Sequence, residues 1–103
     1  MDRNIDFIIT EYAKQVKEAY NPKEIYLFGS YARGEETKYS DIDIAVVIDP
    51  IDINKYMDLA GKLWSIAARF DGEIEPKLII DDGEEDKFSF LYEVKKTGHK
   101  LEV

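Results

Sequence analysis

One stretch decides the fold of this 103-residue chain: Leu27-Phe-Gly-Ser-Tyr-Ala-Arg-Gly-Glu-Glu-Thr-Lys-Tyr-Ser-Asp-Ile-Asp-Ile-Ala-Val-Val47. It opens at the end of Glu24 to Phe28, a short segment rich in β-branched and aromatic residues that predicts a strand stopping at Gly29. It closes within Ile42 to Ile48, an apolar run that predicts a second strand, with alternate residues on opposite faces. A polar loop, 29–40, joins the two, and its residues 31–33 can form a short helical turn.

Amphipathic patterns flank this stretch on both sides. Upstream, apolar residues recur every three or four positions from Ile5 to Tyr20 and predict a helix that ends at Asn21-Pro22. Downstream, Asp52 is a candidate N-cap for a second helix, which Asp71-Gly72 ends. The side chains expected to be buried on this second helix are Ile53, Tyr56, Met57, Ala60, Leu63, Trp64, Ala67 and Phe70.

The last third of the chain predicts one more strand and one more helix. Residues Glu73 to Ile80 read as a strand in which Pro76 favours an edge position or a bulge, because proline has no N–H for the ladder. An acidic run, 81–86, precedes a helix that extends to about Lys96 and ends at Gly98. The order α-β-loop-β-α-β-α predicts an α/β (α+β) fold: one domain over residues 1–103, with a mixed three- to four-stranded sheet and helices packed against it.

Composition and charge exclude several classes of protein. Lys and Arg total 14 against 22 Asp and Glu, so the net charge is −8, the wrong sign for binding nucleic acid through its phosphates. The chain has no cysteine, and its longest aliphatic run, 44–48, is far shorter than the roughly 20 residues that span a bilayer. The first residues lack the apolar segment of a signal peptide. We therefore expect a cytoplasmic protein with neither a nucleic acid nor a membrane as its partner.

Two features of the central stretch carry chemistry. Gly29-Ser30 lies where a strand gives way to a loop, and a glycine there lets the backbone approach a ligand and expose N–H donors, which suits a phosphate. Asp41 and Asp43 are two residues apart on a strand, so their side chains leave the same face, with Cα atoms about 6.5–7 Å apart. Such a pair can hold one or two divalent cations, and Mg²⁺ is typically bound by one or two carboxylates together with substrate phosphates.

The spacing of two acidic residues is not informative by itself in so acidic a chain. Five acid-x-acid pairs occur, at 41/43, 71/73, 73/75, 82/84 and 84/86, about the number that chance predicts. Only the pair of Asp41 and Asp43 lies at the mouth of an apolar strand and follows a glycine-serine turn by ten residues. This context favours a functional interpretation of that pair.

The arrangement Gly29-Ser30, ten residues, then Asp41-x-Asp43, with Ala32-Arg33-Gly34 and Ser40 inside, resembles the signature of the DNA polymerase beta-type nucleotidyltransferase superfamily. More closely, the chain is similar to the minimal nucleotidyltransferase (MNT) proteins, commonly the antitoxins of HEPN/MNT toxin–antitoxin pairs. The resemblance covers residues 27 to 47 and extends loosely to about residue 80. It implies Mg²⁺-dependent transfer of AMP from ATP to a hydroxyl group, in these pairs a tyrosine of the HEPN-type toxin.

The resemblance also implies roles for individual residues. Gly29 and Ser30 would bind the triphosphate, and Asp41 and Asp43 would ligate the metal ions. The family uses a third carboxylate on a neighbouring strand to activate the acceptor, for which Glu75 is the candidate and Glu73 the runner-up. The roles of two basic residues stay open. Arg33 is either a phosphate contact or a surface arginine, and Lys77 is either a phosphate contact or an ion-pair partner of Glu75.

Two alternative functions remain at this point. The chain could be a non-catalytic antitoxin that neutralises its partner by occlusion, or a small-molecule, aminoglycoside-type nucleotidyltransferase working as a dimer. Because 103 residues leave no room for an acceptor-holding second domain, a homo- or hetero-oligomer is expected, with a partner supplying that surface. Among the other residues, His99 is expected to be a surface residue, and the side chains assigned to the core include Tyr12, Met57, Trp64 and Phe70.

Overall fold

The computed structural model describes residues 4–103, which form four helices, four strands and one short 3-10 helix. The helices are α1 (Ile5–Tyr20), α2 (Ser30–Arg33), α3 (Ile53–Ala67) and α4 (Phe90–Thr97), and the 3-10 helix (Ala68–Phe70) extends α3. The strands are β1 (Glu24–Phe28), β2 (Ile42–Ile48), β3 (Ile74–Ile80) and β4 (His99–Lys100). The predicted elements are all present, including the short helical turn after Gly29.

The four strands form one mixed sheet in the order β3-β2-β1-β4. Strands β2 and β3 are parallel, whereas β1 is antiparallel to both β2 and β4. Pro76 lies in β3 at the edge of this sheet, the position that its missing N–H predicts. The predicted order of elements ended with a helix and therefore missed β4, because two paired residues after Gly98 are too few to produce a periodic pattern.

The main core lies on one face of the sheet. The even-numbered residues of β2, from Ile42 to Ile48, point to this face and pack against α1 and α3. The opposite face is covered by α4, whose Val94 packs with Ala45 and Val47. The predicted alternation of β2 is confirmed, and Asp43 therefore lies on the face of α4, away from the main core.

The prediction for α3 is confirmed for Leu63 and Ala67, which are buried, but was wrong for three residues on one side of the predicted stripe. Ile53, Met57 and Trp64 are 68%, 63% and 53% exposed, and the buried residues of the helix are Leu59, Leu63, Ile66 and Ala67. The reason is that β3 ends the sheet. The hydroxyl of Tyr56 already reaches across to donate a hydrogen bond to Leu78 of this edge strand, so the side of α3 beyond Tyr56 has no sheet beneath it.

Other local predictions hold with adjusted boundaries. Tyr12 is fully buried, and Phe70 packs edge-on against it with ring centroids 6.0 Å apart. The last helix begins at Phe90, after the N-cap Ser89, rather than directly after the acidic run, because acidic side chains there accept hydrogen bonds from N–H groups of their own loop. Within residues 4–103, no helix has the length and apolar character required to cross a bilayer.

Candidate functional site

The chain turns sharply from β1 into α2 at Gly29. Its backbone angles, φ 73° and ψ −154°, lie in a region that is open essentially to glycine alone. The carbonyl oxygen of Gly29 accepts hydrogen bonds from the N–H groups of Ala32 and Arg33, and Gly34, also with positive φ, ends the helix. Gly29 and Ser30 therefore form a tight turn at the end of β1, in the location that the sequence predicts.

The carboxylates form a row with their neighbours across the sheet. Asp43 in β2 is paired with Phe28 of β1 on one side and with Glu75 of β3 on the other. Residues paired in this way point to the same face of a sheet, so Phe28, Asp43 and Glu75 lie side by side. Asp41 is exposed and lies one residue before the strand begins.

The turn and the row of carboxylates are in direct contact. A Cβ atom placed on Gly29 would lie 2.2 Å from Oδ2 of Asp43, which is far inside van der Waals contact. A side chain at position 29 is therefore excluded twice, by the backbone conformation and by the carboxylate. The contact brings together the two halves of the motif, which are separated by ten residues of loop in the sequence.

The environment of Asp43 disfavours its charged form. Burial raises the pKa of Asp43 to about 6, with further contributions from the negative charge of Glu75, from a hydrogen bond between these two carboxyl groups, and from the charge of Asp41. The ammonium group of Lys77 acts in the opposite direction and lowers the pKa of Asp43. A divalent cation bound here would relieve the repulsion between the carboxylates.

The loop before β2 is fixed by its own hydrogen bonds. Oγ of Ser40 accepts a hydrogen bond of 2.9 Å from the N–H of Thr37, and the N–H of Ser40 donates to the carbonyl of Thr37 at 3.1 Å. The N–H of Ile42 then donates to the carbonyl of Glu73 at 2.8 Å. Asp41 is held between these two anchors. The sequence motif contains Ser40, but the contribution of Thr37 was not anticipated, although threonine and serine three residues apart are typical of such turns.

The other predicted site residues lie around this centre. The guanidinium of Arg33 pairs with Glu35 at 2.7 Å, and both side chains are exposed. Lys77 lies 3.7 Å from the carboxylate of Glu75, which agrees with the ion-pair interpretation. Glu73 precedes β3, whereas Glu75 lies within the strand, directly beside Asp43. This register is consistent with the prediction, which ranks Glu75 before Glu73.

The donor set suits a cation that also binds phosphate. Among the side chains of residues 4–103, no three acidic or histidine groups converge into a preformed metal cage. Mg²⁺ does not require one, since it is usually held by one or two carboxylates and completes its octahedral shell with water and substrate phosphates. Asp43 and its carboxylate neighbours, next to the turn at Gly29, provide this kind of incomplete site. An open depression of about 590 Å³ lies instead between the acidic loop and α4, beyond the opposite end of β3.

Comparison with known protein families gives a match over most of the chain. The family model described as "Nucleotidyltransferase domain" matches residues 9–101. The Methanocaldococcus jannaschii protein MJ1379 is 55% identical over 62 residues, which are 57% of this chain and 62% of that protein. Protein adenylyltransferase MntA of Thermococcus cleftensis is 39% identical over 63 residues, which are 60% of this chain and 64% of MntA. The chain thus spans less than two thirds of the length of these relatives.

Similarity to solved structures extends over more of the chain. A crystal structure of a toxin–antitoxin with AMP-PNP superimposes on 88% of this chain and 70% of that chain, with a TM-score of 0.56 and 30% sequence identity. AMP-PNP is an analogue of ATP, so that protein binds a nucleotide. The mixed four-stranded sheet and its helices agree with this fold, and the predicted fold class is confirmed.

Proposed function

The chain belongs to the nucleotidyltransferase domain family, and we propose that it is a protein adenylyltransferase that moves AMP from ATP to a hydroxyl group of a partner protein. One observation carries this proposal: the glycine of the Gly29-Ser30 turn packs directly on the carboxylate of Asp43, which in turn lies beside Glu75. A phosphate-binding turn and a pair of carboxylates in contact are the two parts that phosphoryl transfer needs, one for the leaving group and one for the cation.

The triphosphate is assigned to the turn. Gly29 leaves the backbone open to a ligand, and the Ser30 hydroxyl and the first N–H groups of α2 are donors for phosphate oxygens. Arg33, one helical turn after Ser30, is exposed and can leave Glu35 to neutralise phosphate charge. These contacts favour the departure of pyrophosphate, which carries most of the negative charge that develops at the leaving group.

The cation is assigned to the carboxylates. Asp41, Asp43 and Glu75 are the proposed ligands of Mg²⁺, which when bound supplies charge neutralisation for the phosphates. Glu75 also accepts the proton of the acceptor hydroxyl. The acceptor oxygen then forms its bond to the α-phosphorus, the bond from that phosphorus to the bridging oxygen breaks, and pyrophosphate leaves.

The acceptor is assigned to a toxin partner. MntA is named a protein adenylyltransferase, and the similar structure with AMP-PNP is a toxin–antitoxin. From these we propose that this chain is the antitoxin of a HEPN/MNT pair and modifies a tyrosine of a HEPN-type toxin. Its net charge of −8 favours a partner with a cationic surface over a nucleic acid. The absence of cysteine fits a reducing compartment, and we place the reaction in the cytoplasm.

The test is transfer of label from ATP that carries ³²P at the α-phosphate. The chain is incubated with Mg²⁺ and the protein encoded by the neighbouring reading frame. We expect the label to appear on that protein, and Asp43→Asn to reduce the rate by about 100-fold or more, because a ligand of the cation is lost. Asp49→Asn is the matched control, since Asp49 follows the other end of β2 and forms a surface ion pair with Lys23.

Two results would count against the proposal. If Asp43→Asn transfers AMP at the wild-type rate while remaining folded, the assignment of the cation site is wrong. If the wild-type chain inhibits the partner stoichiometrically without nucleotide and transfers no label, the antitoxin acts by occlusion instead.

A further inference from the structure

The C-terminal strand places a histidine against the turn to which the triphosphate is assigned. His99 lies in β4, where it is paired with Leu27 of β1. Its Nε2 atom lies 2.8 Å from the carbonyl oxygen of Ala32 in α2. The two residues are 67 positions apart in the sequence, so the contact depends on the tertiary fold and not on local turn geometry.

The chemistry of the contact fixes its direction. A carbonyl oxygen can only accept a hydrogen bond, so Nε2 of His99 must carry the proton and donate it. The carbonyl of Ala32 is one of the last in the one-turn helix α2 and has no following helical turn to bond it. By contrast, the carbonyl of Ser30 accepts hydrogen bonds from the N–H groups of Gly34 and Glu35. His99 thus bonds the end of α2 that the helix itself leaves open.

The backbone on both sides of His99 is held firmly. Gly98 passes so close to its neighbours that a Cβ atom there would lie 2.6 Å from the carbonyl oxygen of Val94 and 2.7 Å from that of Leu27. Its N–H donates to Val94 at 2.8 Å, and the N–H of Leu101 donates to Ile25 at 2.8 Å. The imidazole therefore projects from a fixed strand. Because His99 is itself exposed, it adds little to the core.

We propose that His99 is a positioning residue for the nucleotide: its Nε2–H holds the carbonyl of Ala32, so that α2 keeps Ser30 and Gly29 in place beside Asp43. This inference rests on the proposed function, because it assigns a role at the same site. Loss of the hydrogen bond would let the short helix rotate away from the carboxylates. The cost falls on the binding of the triphosphate, whereas the stability of the fold is left almost unchanged.

The test replaces His99 with two amide side chains whose nitrogen atoms reach different positions. The amide nitrogen of glutamine lies at about the position of Nε2, whereas that of asparagine lies at about the position of Nδ1. We expect His99→Asn to weaken the binding of ATP with Mg²⁺ by about 2- to 10-fold, the effect of one lost hydrogen bond, and to raise KM for ATP more than it lowers kcat. We expect His99→Gln to restore wild-type binding. Titration calorimetry and steady-state kinetics measure these quantities.

A second measurement does not require nucleotide. Amide hydrogen exchange of Gly34 and Glu35, whose N–H groups bond the carbonyl of Ser30 in α2, should be faster in His99→Asn than in the wild type and unchanged in His99→Gln. Equal exchange and equal ATP binding in the two variants would overturn the inference. So would an equal loss in both variants together with a lower melting temperature, since that is the result of a purely structural role. If exchange responds as expected but the wild type binds no ATP, His99 still positions α2, and the proposed function is the part that fails.

Discussion

The two faces of strand β2 differ in what they pack against and in what they carry. On the face of α1 and α3, the four even-numbered side chains of β2 are all buried and apolar: Ile42, Ile44, Val46 and Ile48. On the face of α4, Ala45 and Val47 are also buried, but the first residue of β2 on this face is Asp43. The first face is uniform along its length, whereas the second changes from charge to packing within a few residues.

The difference indicates which face of the sheet stabilises the fold and which face carries destabilising charge. The charge of Asp43 next to Glu75 is unfavourable in the absence of a ligand, as its raised pKa indicates. It lies at the charged end of the α4 face. The apolar packing of the uniform face offsets this cost. Substitutions on the two faces should therefore have different, and in one case opposite, effects on stability.

The largest effect on stability is expected for truncation in the uniform face. Ile44 is fully buried there, so we expect Ile44→Ala to lower the free energy of unfolding by about 2–5 kcal/mol. The matched variant is Ile79→Ala, because Ile79 has the same side chain but is only partly buried, on the α4 face of the edge strand. Its loss should stay below about 2 kcal/mol. Urea denaturation measures both values, and equal losses would contradict the distinction between the two faces.

A smaller effect is expected at the turn of the site. Gly29→Ala introduces a side chain both at positive φ and against Asp43, and should lower the free energy of unfolding by about 2–4 kcal/mol and abolish transfer. Gly34→Ala is the control, since Gly34 also has positive φ but a Cβ atom there meets nothing within 4 Å. Its cost should be about 1–2 kcal/mol. If the two variants lose the same stability and activity, the contact between the turn and Asp43 has no consequence.

The elements of the site were predictable where a repeating pattern or a motif specified them. The period-two alternation of β2 places Asp43 on the face opposite to Ile44, and Pro76 places β3 at an edge. The sequence offers two carboxylates for the third position, Glu75 as the candidate and Glu73 as the runner-up, and the structure pairs Glu75 with Asp43. This pairing depends on the register between two strands, which neither strand specifies alone.

What could not be predicted depends on long-range packing. The apolar residues of α3 surround much of the helix, so the buried side was decided by the position of the sheet edge and not by the helix pattern. Ile53, Met57 and Trp64 are exposed for this reason. The contact of His99 with Ala32 requires the pairing of a strand of only two residues with β1. A strand of two residues is too short for a local sequence pattern to predict it.

The smallest predicted effect on the free energy of unfolding is an increase, whereas the two effects above are decreases. Asp43 has its pKa raised from 3.8 to about 6 in the folded chain. Between these pH values the folded state binds more protons than the unfolded state, so the contribution of this group to stability is present at low pH and is lost as the pH rises through about 6. Asparagine does not titrate and avoids the loss. Asp43→Asn should therefore abolish transfer and yet stabilise the metal-free protein at pH 7, by about 1 kcal/mol because Asp43 is only partly buried.

The measurement is urea denaturation of both proteins in the presence of a chelator at several pH values between 4 and 7. The stability gained by Asp43→Asn should be largest at pH 7 and should disappear towards pH 4, where the carboxyl group is protonated in the folded wild type. Asp49→Asn controls for the removal of one negative charge from a chain of net charge −8. It should give little gain, because Asp49 is exposed and pairs with Lys23. A loss of stability in Asp43→Asn, or a gain that is the same at every pH, would mean that the charge of Asp43 does not destabilise the folded protein.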